Sequence, residues 1–567
     1  MSSVKFFRYG IWQYWRILWS FSYTPYIGLI IWTLPLLIFS SDTQSLMAHD
    51  EGLYAWRARK MIDSENWINP WSAPHHKTPG PYWLIAICYQ LFGVSEVSTR
   101  LPSMVAGMGS ILLLYAIANI ILNKKVAVLA GAILSLEFLW LQYSRLGTPD
   151  VPTIFLFLLA ILALLASELN HRRRDFWGFI FGFSLALGFL LRSFMIFLPI
   201  IAILPYLLVE NRRHDHLSNP MIYIGFVVGL IPSVAWLWLN WQQYGKDSLL
   251  ELVNFAVRLG SKERGNNGIL FYLWNVPIKA FPWSLFSLLG LYISILRPIS
   301  RYQLILVGVP LTLLLEISIF ATRLPHYSLF LYPFIALLAS VGLSFVVEIF
   351  IAHIAAESGQ EKTKFMEKIV EKINKLPFSN FISNLPRNIS YSFGILGIIL
   401  FLASQVILIW GATSTHKYAV LTLILGICWC KIPLIWLNRL RLKNKQLAAN
   451  YWLANFLITG WLTLAIAGST GLLGDYNHDI KVFVQRSEIA TVLQNHIVHQ
   501  VDVGGKNSVL INFYTPLHGE ELTDISQLLP NHYAWIPKKQ VANLSSNYKT
   551  LGKVNKYALI QYQTENM

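Results

Sequence analysis

Charge is scarce in this chain: 13% of its 567 residues are Asp, Glu, Lys or Arg, 55% are hydrophobic, and the mean hydropathy is +0.48. A soluble domain of that make-up lacks the polar residues to cover its surface, which excludes a soluble fold and makes lipid the solvent. Cysteine is scarcer still. Cys88, Cys428 and Cys430 do not describe a disulfide framework, and a Cys-Trp-Cys inside an apolar run lacks convergent ligands for zinc, so all three are expected to be structural. Acidic residues number 29 against 45 Lys and Arg, a net charge of +16. No stretch reads as a soluble basic fold, so nucleic acid is excluded and the excess charge points to anionic headgroups and a phosphate-bearing substrate. A small-residue cleavage site is missing after the basic, aromatic segment running to about Tyr26 (Lys5, Arg8, Arg16), which is expected to be a retained anchor. An internal repeat of the transporter type is missing too.

Long hydrophobic runs are what the chain has. A bilayer-crossing helix needs roughly 20 mainly apolar residues, and about thirteen segments qualify by that rule. They lie near 26–42, 101–122, 126–143, 149–169, 176–191, 193–210, 220–241, 281–296, 302–320, 327–350, 390–411, 418–437 and 450–473. With a cytoplasmic N-terminus, every inner connection is basic: Lys124 and Lys125, Arg172 to Arg174, Arg212 and Arg213, Arg297 and Arg301, then Lys362, Lys364, Lys368, Lys372, Lys375 and Arg387, then Arg439, Arg441, Lys443 and Lys445. The long outer loops fall at 43–100 and 242–280, and the 21 Trp and 26 Tyr suit two headgroup levels. The stretch 82–92 is too short to cross and is expected to lie in the interface, as is an amphipathic inner segment at 352–389. After the last span the character changes. QRSEIATVLQNHI reads as a helix, and NSVLINFY, HYAWIP and KYALIQYQ read as strands. The expected fold is an all-α polytopic membrane protein over 1–473, with interfacial helices in the first outer loop and a small extracytoplasmic α/β domain over 474–567.

Ionisable residues gather at the outer face. Asp50 and Glu51 stand in MAHDEGLYAWRARKMI, just beyond the first span, where they face a site in the outer leaflet or cap the helix that follows. His75, His76 and Lys77 follow in APHHKTPGPYWL as a metal or phosphate element, or as a polar loop touching headgroups. SRLGTPDVP brings Arg145 and Asp150 to the same level, LLRSFM brings Arg192, and ATRLPHY brings Arg323, His326 and Tyr327. An ionisable residue at that depth is costly unless it pairs or faces a cavity, so clusters from four parts of the chain describe one outward-facing polar site.

The ordered motifs DEGLYAWRARKMI, KTPGPYWL, LFG, RLPS, RLGTPD and LPHY resemble the membrane glycosyltransferases of the GT-C class. Within it they are similar to the aminoarabinose lipid A transferase and protein O-mannosyltransferase superfamily. The resemblance covers about residues 26 to 340 and implies an inverting transfer of a hexosyl or pentosyl unit from a polyprenyl-phosphate donor, with no nucleotide sugar. Asp50 matches the essential first-loop carboxylate, Glu51 its neighbour, Tyr54 the aromatic of that motif, Lys77 the lysine of a Lys-Pro-Pro element, Asp150 the second aspartate and Tyr327 a tyrosine that reaches the donor phosphate. Arg192 and Arg323 stand where relatives commonly carry Lys, Thr78 replaces a proline, and His76 stands where the aminoarabinose branch has Glu.

On this reading Asp50, Glu51 and Asp150 are the catalytic candidates, with Asp50 the preferred base for the acceptor hydroxyl. Tyr54, Lys77, Arg192, Arg323 and Tyr327, with Arg258 and Arg264 of the second long loop, are the candidates for the donor phosphate. His76 is the candidate metal contact, and a divalent metal stays open as a cofactor. The acceptor is a lipid or a protein hydroxyl, and the expected location is a bacterial inner membrane with the site facing outward. A transporter or flippase of a lipid-linked sugar is the alternative.

Overall fold

The computed structural model describes residues 23–71, 73–261, 267–298, 301–357, 379–441, 445–505 and 507–563. Arg264, the N-terminal anchor up to residue 22 and residues 358–378 of the expected inner amphipathic helix lie outside them.

Most of the chain is helical. α1 (Thr24–Ile38) leads to a first loop carrying α2 (Glu51–Asp63) and α3 (Gly80–Phe92). Then come α4 (Glu96–Ile121), α5 (Lys124–Ser135), α6 (Phe138–Ser144), α7 (Asp150–Leu169), α8 (Arg174–Arg192), α9 (Phe197–His214) and α10 (Pro220–Tyr244). The second loop holds α11 (Asp247–Ser261), and the bundle continues with α12 (Phe271–Lys279), α13 (Trp283–Leu296), α14 (Val309–Ile319), α15 (Tyr332–Glu357), α16 (Leu385–Trp410), α17 (His416–Leu437) and α18 (Lys445–Ser469). Several starts are legible in the sequence: Ser95 caps α4 by accepting from the Ser98 amide, and Asn123 caps α5 by accepting from Lys125 and Val126. α8 and α10 press backbone to backbone, since a Cβ on Gly182 would stand 1.9 Å from the Ile222 carbonyl oxygen. Small residues allow such approach where lipid offers no hydrophobic drive.

Among the described residues eight helices are long and apolar enough to cross a membrane, or ten if each of two bent pairs counts as one span. The expected thirteen are not reached by length and composition, and the reasons are local. The segments expected at 126–143 and 281–296 belong to the bent pairs, angled by 69° and 116°. Those at 26–42 and 302–320 are shorter apolar helices. Those at 176–191 and 193–210 lie in one 44-residue stretch, His171–His214, which is interrupted at Ser193 with φ 51°.

Beyond the bundle, α19 (His478–Val484), α20 (Ser487–Asn495) and α21 (Ser508–Tyr514) accompany strands β1 (Val498–Val501), β2 (His518–Leu522), β3 (Tyr533–Pro537), β4 (Tyr548–Val554) and β5 (Tyr557–Tyr562). The sheet order is β2-β1-β3-β5-β4, with β1 parallel to β2 and β3, and β5 antiparallel to β3 and β4. NSVLINFY, expected as a strand, is helix α21. Parallel β1 and β2 need a crossover between them, and α21 supplies it, burying Leu510, Ile511 and Phe513. Periodicity cannot separate helix from strand in so short an apolar run. This sheet unit shares a core with the first loop: Tyr54, Ala55, Met61, Tyr82 and Ile85 pack in one cluster with Ile480, Phe483, Leu510, Trp535 and Leu559.

Candidate active site

Glu51 fixes the entrance to α2. Its carboxylate is fully buried and binds Arg100 Nε at 2.7 Å, and it also accepts from the amides of Met47 and Gly147 at 2.9 and 3.1 Å. Arg100, itself buried, donates onward to the carbonyls of Ser41, Gln44 and Ser45. The loop leading into α2 is thereby tied to the start of α4, and Asp50 is the residue it delivers to the N-terminus of the helix. Asp50, Leu53, Tyr54 and Arg57 follow at helical spacing on one face and line a cavity of about 630 Å³. The Asp50 carboxylate is half-buried and has no hydrogen-bond or ion-pair partner among the described residues, so it is open to whatever enters.

The next wall is the loop before α3. Lys77 Nζ donates to the Tyr54 hydroxyl at 3.1 Å and sits 4.8 Å from the centre of its ring. Burial holds the Lys77 ammonium below the ordinary lysine range and pushes the Tyr54 phenol up to about 12. Arg57 donates to the Tyr82 hydroxyl at 2.8 Å and lies 3.2 Å from His75 Nε2. Burial, with Arg57 beside it, drives the His75 imidazole far below its usual range and keeps it neutral. The loop is seated on the last turn of α8, where Thr78 donates to the Phe189 carbonyl and a Cβ on Gly80 would lie 2.5 Å from the Leu190 carbonyl oxygen. Gly80→Ala is therefore expected to push Lys77 away from Arg192 and to cost at least tenfold in activity, since small misplacements of a site are that expensive. Wild-type activity in a folded Gly80→Ala protein would show that the contact is not needed.

Asp150 opens α7, and Arg192 closes α8. They pair through both oxygens, Arg192 Nη2 to Oδ1 at 2.8 Å and Nη1 to Oδ2 at 3.3 Å. The two-pronged fit fixes the guanidinium plane. Ser193 follows Arg192 with φ 51° and ψ −137°, a backbone that side chains other than glycine seldom adopt, and this break lets Arg192 face the cavity as the chain turns into α9. Tyr327 lies with its ring 6.0 Å from the Arg192 guanidinium carbon, and His326 stacks on Tyr143 at 5.5 Å.

The structure thus brings together Asp50, Tyr54, Lys77, Asp150, Arg192 and Tyr327. His76 joins them at the wall of the cavity, whereas Glu51, Arg258 and Arg323 do not. Glu51, expected among the catalytic carboxylates, is saturated by Arg100 and two amides and has no opening to the cavity. Arg323, expected to hold phosphate, donates instead to the carbonyls of Ser318 and Asn267, tying the end of α14 to the second loop. Arg258 is exposed and paired with Glu251 at 3.0 Å. His76 lines the cavity with its ring 4.7 Å from that of Phe255. Among the described residues no group of three or more His, Cys, Asp or Glu could hold a metal ion. Arg57 and His326 line the cavity although neither stood among the candidates. Arg57 was findable, seven residues after Asp50 on the same helix face.

An apolar groove of about 390 Å³ adjoins the cavity and shares Arg192, Ser193, Met195 and Phe255 with it. Its outer wall includes Phe197, Ile201 and Ile319, each about half exposed on the surface of the bundle. A polar chamber therefore leads directly into a slot lined mainly by hydrocarbon, with Glu316 as the carboxylate in its wall.

Residues 76–238 match the family described as dolichyl-phosphate-mannose-protein mannosyltransferase. An uncharacterised protein of Aquifex aeolicus is 24% identical over 328 residues, 56% of this chain and 63% of that protein. The undecaprenyl phosphate-alpha-4-amino-4-deoxy-L-arabinose arabinosyl transferase of Pseudomonas aeruginosa strain UCBPP-PA14 is 27% identical over 324 residues, 52% of this chain and 56% of that enzyme. The match thus spans less than two thirds of either relative's length. In fold the likeness is broader. The crystal structure of ArnT from Cupriavidus metallidurans bound to undecaprenyl phosphate superposes with a TM-score of 0.67 at 16% identity, covering 94% of this chain and 96% of that one.

Proposed function

We propose, from the premise that this chain is a GT-C class membrane protein similar to the aminoarabinose transferases and protein O-mannosyltransferases, that it transfers a sugar from a polyprenyl-phosphate donor to a hydroxyl of a lipid or protein acceptor. The observation that carries this reading is the junction of cavity and groove at Arg192. A substrate fitting both has a charged, sugar-bearing head and a long hydrocarbon tail. The names of the arabinosyl transferase relatives and the undecaprenyl phosphate bound in the similar structure point to the same donor chemistry. A flippase would not need a free carboxylate beside a fixed cation cluster.

In the proposed reaction the acceptor oxygen attacks the anomeric carbon from the face opposite the phosphate, and Asp50 takes the hydroxyl proton. The bond from the anomeric carbon to the phosphate oxygen breaks, and the lipid phosphate leaves with the electron pair. Arg192, Lys77, Arg57 and Tyr327 surround the position where that charge develops, and fixed cations in a half-buried site lower the barrier by stabilising it. Asp150 orients Arg192. The sugar is a hexosyl or a pentosyl unit.

Arg192→Ala is expected to reduce kcat/KM for the polyprenyl donor by about 10²–10³-fold, the scale seen when one preorganised charge-stabilising donor is removed. It should leave the apparent affinity for the acceptor nearly unchanged. Unaltered donor kinetics would remove Arg192 from the phosphate site.

The proposed setting is a bacterial inner membrane crossed about thirteen times, counting each helix of roughly 20 apolar residues or its bent or short equivalent as a span. Residues 1–473 would form the transferase bundle, and 474–567 would lie outside with the site. Reporter fusions after Lys445 and after Gly474 are expected to report opposite sides of the membrane. A shared side would remove the last span.

A further inference from the structure

We propose that the basic end of the bundle carries a binding site for one anionic glycerophospholipid, seated between α17 and α18 and separate from the catalytic cavity. The two helices enclose an open groove of about 570 Å³ with apolar walls from Leu434, Ile435 and Ile458 and a polar mouth from Lys431, Arg441 and Tyr451. Lys431 is exposed in the otherwise apolar second half of a 22-residue helix. A charge on a lipid-facing surface is costly unless its stem snorkels or the charge finds a partner.

Neither Lys431 nor Arg441 has a hydrogen-bond or ion-pair partner among the described residues. The neighbouring Arg439, by contrast, is held by both oxygens of Glu357. Among the described residues, therefore, the two cations stand at a mainly apolar slot with no anion to neutralise them. Lys431 lies seven residues before the end of its helix region at Asn438, roughly 10 Å along the axis. Lys431 and Arg441 line the same groove, so a phosphate at its basic end can lie between ammonium and guanidinium while an acyl chain fills the slot.

The site is remote from the chemistry. α18 ends in a turn whose Asp475 binds Ser45, close to Asp50, whereas the groove lies along the first half of α18, roughly 20–30 Å away at 1.5 Å per residue. Among the described residues no carboxylate lines it. Two positive groups and no negative one favour a headgroup of net negative charge over a zwitterionic one, whose amine would meet them unfavourably.

The test is native mass spectrometry of the full chain released from micelles containing equal amounts of phosphatidylglycerol and phosphatidylethanolamine. One retained phosphatidylglycerol per chain is expected, with at least a tenfold preference over phosphatidylethanolamine. The double variant Lys431→Gln with Arg441→Gln should lose that preference, and Lys431→Arg should keep it. Replacing Arg172 and Arg173 by Gln removes the same charge from the same end without touching the groove and should leave the preference intact. A melting temperature measured without added lipid identifies any variant that fails to fold. The proposal is overturned if wild type shows no preference, if the Arg172/Arg173 control loses it equally, or if undecaprenyl phosphate displaces phosphatidylglycerol at equal concentration.

Discussion

Asp50→Asn is expected to leave a folded protein that binds the polyprenyl donor and transfers sugar about 10²–10⁴-fold more slowly, the usual contribution of a general base. The reason lies in what surrounds each carboxylate. Asp50 is the acid of the cavity with no partner among the described residues, so its proton-accepting oxygens are available to an incoming hydroxyl. Asp150 has both oxygens committed to Arg192. Asparagine keeps the size and much of the hydrogen bonding of aspartate, so the melting temperature should hardly move. Near wild-type transfer by Asp50→Asn together with an inactive Asp150→Asn would reassign the base to Asp150. Activity in both would end the carboxylate mechanism.

The adjacent position should behave in the opposite way. Glu51→Ala leaves Arg100 buried with its charge unpaired, and breaking a buried ion pair by removing one partner destabilises by about 3–5 kcal/mol. The loss should appear as a lowered melting temperature and poor recovery from the membrane, with the loop from Ser41 to Asp50 released. Glu51→Gln keeps an acceptor for only one of the Met47 and Gly147 amides, sets its own NH2 against the other and loses the charge, and should fall between. A Glu51→Ala protein with unchanged melting and a rate defect equal to that of Asp50→Asn would return Glu51 to the chemistry. Neighbours in sequence are thus expected to separate cleanly, one acting on rate and the other on architecture.

That separation shows where sequence reading reaches its limit. Asp50, Tyr54, Lys77, Asp150, Arg192 and Tyr327 were legible because each stands in a motif at one end of a recognisable span, and the topology gathers those ends. The role of Glu51 was not legible, because its partner Arg100 is 49 residues away and the pairing depends on how α2 meets α4. The place of Arg323 outside the cavity lining was not legible for a related reason: nothing local tells a cation facing substrate from one stapling backbone carbonyls. The span pattern was readable from hydropathy, while the bends in the 126–143 and 281–296 segments were not, since composition carries no angle. At the C-terminal end β3 and β5, whose buried positions run consecutively, were found. β1, β2 and the seven-residue β4 were missed, and so was α21, whose helical form is set by the crossover it completes.

The core shared by the first loop and the sheet unit has a consequence for biosynthesis. The ribosome releases the segment bearing Asp50 more than 400 residues before the side chains that cover it, such as Leu510 against Gly52 and the Phe513 carbonyl that accepts from Arg59. During translation the apolar side of α2 has α3 to pack on but not the sheet unit that completes its core, so the newborn loop needs shelter from a chaperone or from the headgroup layer. Assembly of the outer cap then becomes the final step, and a transcript cut short before codon 480 yields a fully inserted bundle whose catalytic loop never sets.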